Sequence, residues 1–236
     1  MYIGVKSQNR RRSKPSPARP SESPASRLRM AIHEGQFVSG QRLIEVEIME
    51  LLGVSRGQVR LAFRELESEG LVRIEKNRGA SVRRISRAEV RESLDVLEVI
   101  SLVLSEKAVE RVENPEAEAA LRRSLDLVTK FKSSRDRADQ CRRYMNETAR
   151  FWLAISNVVA NSVLEDFRIK LETKLFRLSL EGLLVTGNAE RWVALHGDIL
   201  KAILARDAVS VRALVVRSVR DVSGAIHALP DSAFGT

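Results

Sequence analysis

The chain has 236 residues, 44% of them hydrophobic, and 40 Lys+Arg against 31 Asp+Glu give a net charge of +9. That is enough apolar sequence for two domains, and no run approaches the ~20 apolar residues of a membrane-spanning helix. The basic N-terminus lacks the apolar stretch of a secretory signal, and one cysteine, Cys141, rules out an intramolecular disulfide, so a cytoplasmic, non-membrane protein is expected.

The charge is unevenly placed. Residues 1–85 hold 17 Lys+Arg against 9 Asp+Glu, net +8, whereas residues 86–236 are close to neutral at +1. A basic segment of this kind attracts phosphates and displaces their counterions. A lipid surface is the weaker partner, because no basic amphipathic helix with bulky aromatics accompanies the charge.

Residues 1–25 combine Arg10, Arg11, Arg12 and Lys14 with prolines and serines, and too little apolar surface to fold. They are expected to be a disordered basic arm. A DNA-binding domain is expected over residues 26–85, beginning with a helix at Ser26–Glu34 that stops near Gly35. A second short helix spans Glu45–Leu52, and Gly53 suits its left-handed end. Ser55 is a good N-cap for a third helix, in which Val59, Ala62, Phe63 and Leu66 form one apolar stripe. Arg56, Arg60 and Arg64 recur at every fourth position and face away from that stripe. Two short helices joined by a Gly turn, the second rich in Arg at its start, read as a helix-turn-helix over about 45–64. Leu71–Ile74 and Ala80–Arg83 then read as strands around the basic tip Glu75–Gly79, a hairpin that makes the unit a winged helix.

The expected DNA contacts are Ser55, Arg56, Gly57, Gln58, Arg60 and Arg64 on the helix, with Asn77, Arg78 and Gly79 on the wing. Arg reads guanine O6/N7 with a bidentate fork, and Gln pairs with adenine N6/N7. Gly57 weakens a helix but lets a phosphate come close to the backbone. Leu61 lies off the buried stripe, open either to a thymine methyl or to a neighbouring helix.

Residues 86–236 contain no credible strand, and an all-helical effector-binding domain is expected over 86–230. Helices are expected at Arg87–Val112, Pro115–Lys132, Asp139–Ser156, Ser162–Leu180, Ala189–Ala205 and Ala208–Ala228, in an antiparallel bundle followed by a short tail at 231–236. The fold class is therefore mainly α, a winged helix-turn-helix followed by an all-α bundle. With three histidines (His33, His196, His227), no Cys–His cluster, no Gly-rich phosphate loop and no nucleophile–base pair, nothing supports an enzyme.

Several of these motifs coincide in order. Gln41-Arg-Leu-Ile44, Leu52-Gly-Val-Ser-Arg56, Val59-Arg60, Leu66-Glu67, Glu69-Gly-Leu-Val72 and Asn77-Arg-Gly-Ala80 resemble, without gaps from about Arg27 to Arg84, the DNA-binding domain of GntR-family bacterial transcription regulators. Gly57-Gln58 departs from that family's usual Thr-Pro pair. In the second half, Phe151-Trp152, Asn161-Ser-Val-Leu164, Leu195-His-Gly-Asp-Ile199 and Arg206-Asp-Ala208 resemble the helical effector-binding (FCD) domain of the FadR-type subgroup. The resemblance implies a homodimer on a double-stranded operator, more readily a repressor than an activator, controlled by an unknown small-molecule effector. The alternative is a regulator that has lost its effector response and keeps the bundle for dimerisation. Similar domains often hold a divalent metal through an Asp or Asn and three His. The equivalent places are Thr148, Trp152, His196 and Ser218, so no metal or other cofactor is expected and these four are left as effector-pocket residues. The family's Arg and Glu on the first bundle helix are replaced by Leu97 and Ser101.

Overall fold

The computed structural model describes residues 23–76 and 78–235. The expected arm falls almost wholly outside that range, as does Asn77. Helix α1 begins at Pro24, inside the segment expected to be arm, with Ser23 capping its first turn and Ala25 already buried. Proline at a first-turn position has no hydrogen bond to lose, which is why the helix starts there.

The N-terminal domain runs α1 (Pro24–His33), β1 (Arg42–Leu43), α2 (Glu45–Leu52), α3 (Arg56–Ser68), β2 (Val72–Glu75) and β3 (Gly79–Val82). The wing is a sheet of three strands in the order β1-β3-β2, all antiparallel, rather than the two-stranded hairpin expected. Leu28, Ile32, Ile48, Val59, Phe63 and Leu66 meet in one core, and Arg29 ties α1 to α3 through Glu69 (2.7 Å) and Glu65 (3.3 Å). Between α2 and α3 the chain turns at Gly53, whose φ of +64° would strain any residue with a Cβ.

The bundle comprises α4 (Arg87–Arg111), α5 (Pro115–Thr129), α6 (Arg137–Val159), α7 (Ser162–Val185), α8 (Ala189–Leu204) and α9 (Ala208–His227). Helices α6 and α7 run longer than expected, α7 by a full turn through Glu181-Gly-Leu-Leu-Val185. Side chains of Ser86, Asn114, Asp136, Asn161 and Asp207 cap five of the six helices, satisfying backbone donors that would otherwise be unpaired. Tyr144, Phe151, Ile155, Leu175, Leu183 and Ile199 are fully buried in a second, separate core.

The tail is folded back on the interdomain linker. Gly235 N–H donates to Ile85 O (3.0 Å), Arg87 pairs with Asp231 (2.8 Å) and lies over the Phe234 ring at 3.9 Å. The two domains also touch directly. His33 packs on Phe176 of α7 (centroids 5.2 Å apart), Arg142 pairs with Glu34 (2.7 Å), and Arg177 donates to Ser39 Oγ (2.9 Å).

Candidate DNA-binding surface and effector cavity

Helix α3 buries Val59, Ala62, Phe63 and Leu66 and turns Arg56, Gly57, Gln58, Arg60, Leu61 and Arg64 to solvent. Leu61 is 66% exposed, so no neighbouring helix covers it and only the outward reading is left. The Arg ridge is not loose. Glu45, in the first turn of α2, takes Arg56 at 3.3 Å and Arg60 at 2.7 Å, while 59% and 61% of the two side chains stay accessible. The hydrogen bond from Arg60 holds the Glu45 carboxyl below its usual range. One carboxylate thus aligns two guanidinium groups across the turn, leaving N–H donors of each to point outward.

Gln58 is exposed and, in the DNA-free protein, caps the helix start. Its Oε1 accepts from Ser55 N–H (3.0 Å) and Ser55 Oγ (3.0 Å), while Ser55 Oγ in turn accepts from Gln58 N–H (3.4 Å). This reciprocal capping box fixes the helix start and engages the oxygen that adenine recognition needs. A Cβ built on Gly57 meets nothing within 4 Å, so no contact inside the protein requires glycine there.

On the wing, Arg78 is exposed beside Glu75 (3.6 Å), and Gly79 makes the left-handed turn at φ +84°. Two further cations border the tip: Arg73, paired with Glu75 at 3.3 Å, and Arg42 of β1, whose guanidinium approaches Gly79. Sequence reading passed over Arg42 because a two-residue strand carries no periodic signal.

In the bundle, Trp152, His196 and Ser218 come together around a cavity of ≈ 50 Å³, with Leu97, Ser101 and Glu172 also on its wall. Thr148 is buried but does not line it, and its hydroxyl has no partner. His196 is almost wholly buried. Its Nδ1 faces the carboxylate of Glu147 (2.8 and 3.0 Å), its ring stacks on Phe151 at 4.1 Å, and Trp192 meets it edge-on at 4.8 Å. Arg168 stands over Trp152 at 5.1 Å, held by Glu165 (3.2 Å) and Glu172 (2.5 Å). Burial pulls its pKa down, but the two carboxylates outweigh that and raise it. Ser101 Oγ and Trp192 Nε1, both on the cavity wall, are buried without a partner.

Comparison with known proteins agrees with this two-part layout. The family model "Bacterial regulatory proteins, gntR family" matches residues 20–82, and the FCD domain model matches residues 89–221, more than half of the chain. The chain belongs to the GntR family and carries an FCD domain. The HTH-type transcriptional regulator YdhC of Bacillus subtilis (strain 168) is 32% identical over 87 residues, which is 37% of this chain and 37% of YdhC. In fold, E. coli McbR/YncC superposes with a TM-score of 0.69 at 19% identity, over 86% of this chain and 95% of that one. A GntR transcriptional regulator from Rhodococcus sp. RHA1 follows at 0.63 and 22%, over 87% and 97%. Transcription regulation through a helix-turn-helix is thus the family's activity, and its members bind DNA operators.

The metal that FCD domains often hold does not fit this chain. Of the four equivalent positions only His196 supplies a good ligand; with Nδ1 on Glu147 it offers one nitrogen, Nε2, and a lone donor does not hold a metal. Trp152 offers no lone pair, and hydroxyls such as those of Thr148 and Ser218 are weak neutral donors. Among the described residues no three His, Cys, Asp or Glu converge on a point. Glu147, which went unnoticed in the sequence as one more acidic residue on a charged helix, is the group that fixes the orientation of His196.

Proposed function

We propose that this GntR-family regulator binds an inverted-repeat operator as a homodimer, with α3 of each subunit in a major groove and the wing tip over the adjoining backbone. The observation that carries the reading is the Glu45-aligned pair Arg56 and Arg60 on an otherwise unobstructed face of α3. With Arg64, Arg78 and Gly79 they form the DNA surface, to which Arg42 and Arg73 are added. Ser55 and Gln58 serve by holding the helix start. A single winged helix reads one half-site, so useful affinity calls for a two-fold dimer. Val96 and Val99 on α4 and Val163 and Phe167 on α7, two helices packed together, are exposed apolar side chains of the kind such an interface would cover. A dimer on its operator blocks polymerase by occupancy, which makes repression the simpler outcome.

The helical domain is read as the sensor, working without a metal, with Trp152, His196 and Ser218 around its core cavity. A second reading is favoured by the cavity's size: ≈ 50 Å³ holds a water or two but no metabolite, as a bundle kept only for dimerisation would show. Selection of bound fragments from genomic DNA, with the mass of the complex measured by light scattering, tests the first part. Recovery of a palindrome bound by two chains is expected, and a monomer protecting one asymmetric half-site would overturn it. Melting in zinc, in nickel and in chelator tests the second. Indifference is expected, and stoichiometric metal whose removal lowers the melting temperature would refute it.

A further inference from the structure

A larger opening lies beside Glu147 and Phe151, the two residues that hold His196. Between α5 and α6 is a cleft of ≈ 230 Å³, several times the volume of the core cavity. Its apolar wall is Leu127, Val128, Phe131 and Phe151, and its rim carries Lys130, Lys132, Arg143 and Arg150. Two of those cations are committed, Lys130 to Asp126 (2.6 Å) and Arg143 to Asp139 (2.7 Å). Among the described residues Lys132 and Arg150 have no carboxylate within ion-pair distance; Arg150 spends only its Nε, on Asn146 O (2.9 Å). Ser124 on the cleft wall is 6% exposed, and its hydroxyl has no partner. A buried hydroxyl left unpaired costs free energy that a ligand or water oxygen would recover.

We infer that this cleft binds a small organic anion with an apolar body. The ligand's carboxylate or phosphate sits on Lys132 and Arg150, its body lies against Leu127 and Phe131 above the buried Phe151, and Ser124 supplies a hydroxyl contact. Arginine's planar fork matches either anionic group. A neutral arene would leave the cations unused, and a bare inorganic anion would leave the apolar wall facing water. The site is distinct from the core cavity, with no lining residue in common, and the two are joined through His196. Glu147 and Phe151 line the cleft, and these same residues clamp His196 by hydrogen bond and by stacking. A ligand seated over Phe151 and Glu147 therefore packs against the layer that holds His196, a wall residue of the core cavity. This goes beyond the reading of that cavity as the sensor, and it stands whether or not the cavity itself accepts a ligand.

Both tryptophans of the chain report on this partition: Trp152 meets Phe151 at 4.9 Å and Trp192 meets His196 at 4.8 Å. The test titrates full-length protein with benzoate, phenyl phosphate, benzyl alcohol and inorganic phosphate while following tryptophan emission. Saturable binding of benzoate or phenyl phosphate is expected, with benzyl alcohol and inorganic phosphate at least about tenfold weaker. Lys132 and Arg150 are exposed, so the Lys132→Gln/Arg150→Gln protein should melt normally while its affinity for the organic anion falls about tenfold. Ser218→Val, on the wall of the core cavity, should leave that affinity within about twofold. No saturable signal from either organic anion would overturn the inference. So would equal binding of inorganic phosphate, or of benzyl alcohol. Loss of binding in Ser218→Val but not in the double variant would overturn it too, and would instead place the ligand in the core cavity.

Discussion

His33 makes the contact between the two domains sensitive to acid. It closes α1, packs on Phe176 of α7 and is 5% exposed, and neither ring nitrogen has a hydrogen-bond partner. Burial, reinforced by the guanidinium groups of Arg29 and Arg177, holds its pKa down at about 4 against an ordinary 6.5. The small space beside it is lined by Arg83, Lys174 and Arg177, and the nearest carboxylate along the chain, Glu34, is taken by Arg142. The imidazole is therefore neutral in the fold and readily protonated in the unfolded chain. The unfolded chain binds the extra proton between pH 6.5 and about 4, so stability is full above 6.5 and falls as the pH drops through that window. At roughly 1.4 kcal/mol per unit the loss comes to about 3 kcal/mol, after which it levels off. Other groups titrate in the same range, so the informative quantity is a difference. His33→Phe keeps a ring against Phe176 and removes the titration. Chemical unfolding of both proteins, followed by circular dichroism at pH 7, 6, 5 and 4, should show the wild type losing about 3 kcal/mol relative to the variant. At pH 7 the variant should be at least as stable, since no hydrogen bond is lost. Parallel pH profiles for the two proteins would refute the reasoning.

Three substitutions probe other parts of the account. Gly182 lies where α7 crosses α9, and an added Cβ would sit 2.5 Å from Ala225 C and 2.9 Å from Ile226 N. Backbone cannot swing aside as a side chain can, so Gly182→Ala should destabilise the bundle by about 3 kcal/mol or more in a urea melt. A loss below about 1 kcal/mol would mean that the helices separate easily. Gly57→Ala should behave in the opposite way, holding or raising the melting temperature while weakening operator binding, because the new methyl stands where a phosphate is expected to approach. Unchanged operator affinity would leave the glycine without a DNA role. Glu45→Gln removes the carboxylate that aligns Arg56 and Arg60, and with it one negative charge beside the DNA face. Affinity for random DNA should rise and the ratio of specific to non-specific binding should fall; a rise in that ratio would contradict an aligning role.

The winged helix was legible because its signals are local. The apolar stripe Val59–Leu66, the Ser55 cap and the Gly53 turn each act over a few residues, and the structure keeps all three. Gln58 carries an equally local signal of another kind. Ser55 and Gln58 stand three apart in a capping-box pattern, and the backbone donor competes successfully for the amide oxygen. Non-local features could not be read. The third strand of the wing is two residues long and exists only because Arg42 and Leu43 meet Ser81 and Ala80. The contact of Glu34 with Arg142 joins residues far apart in sequence, and Glu147 looks like any solvated acid until the fold brings His196 to it. Folding of the tail onto the linker likewise depends on Phe234 finding Arg87.

Operator binding by α3 is the central claim, and the sharpest measurement is the salt dependence of affinity for the selected operator and for random DNA, with three single variants. Arg56→Ala and Arg60→Ala should lower operator affinity about tenfold or more while random-DNA affinity changes less, because a base-reading guanidinium is lost. Arg78→Ala should weaken both DNAs alike and flatten the salt slope by about one ion. Operator affinity that Arg56→Ala and Arg60→Ala both leave unchanged would contradict the assignment of α3 as the recognition helix.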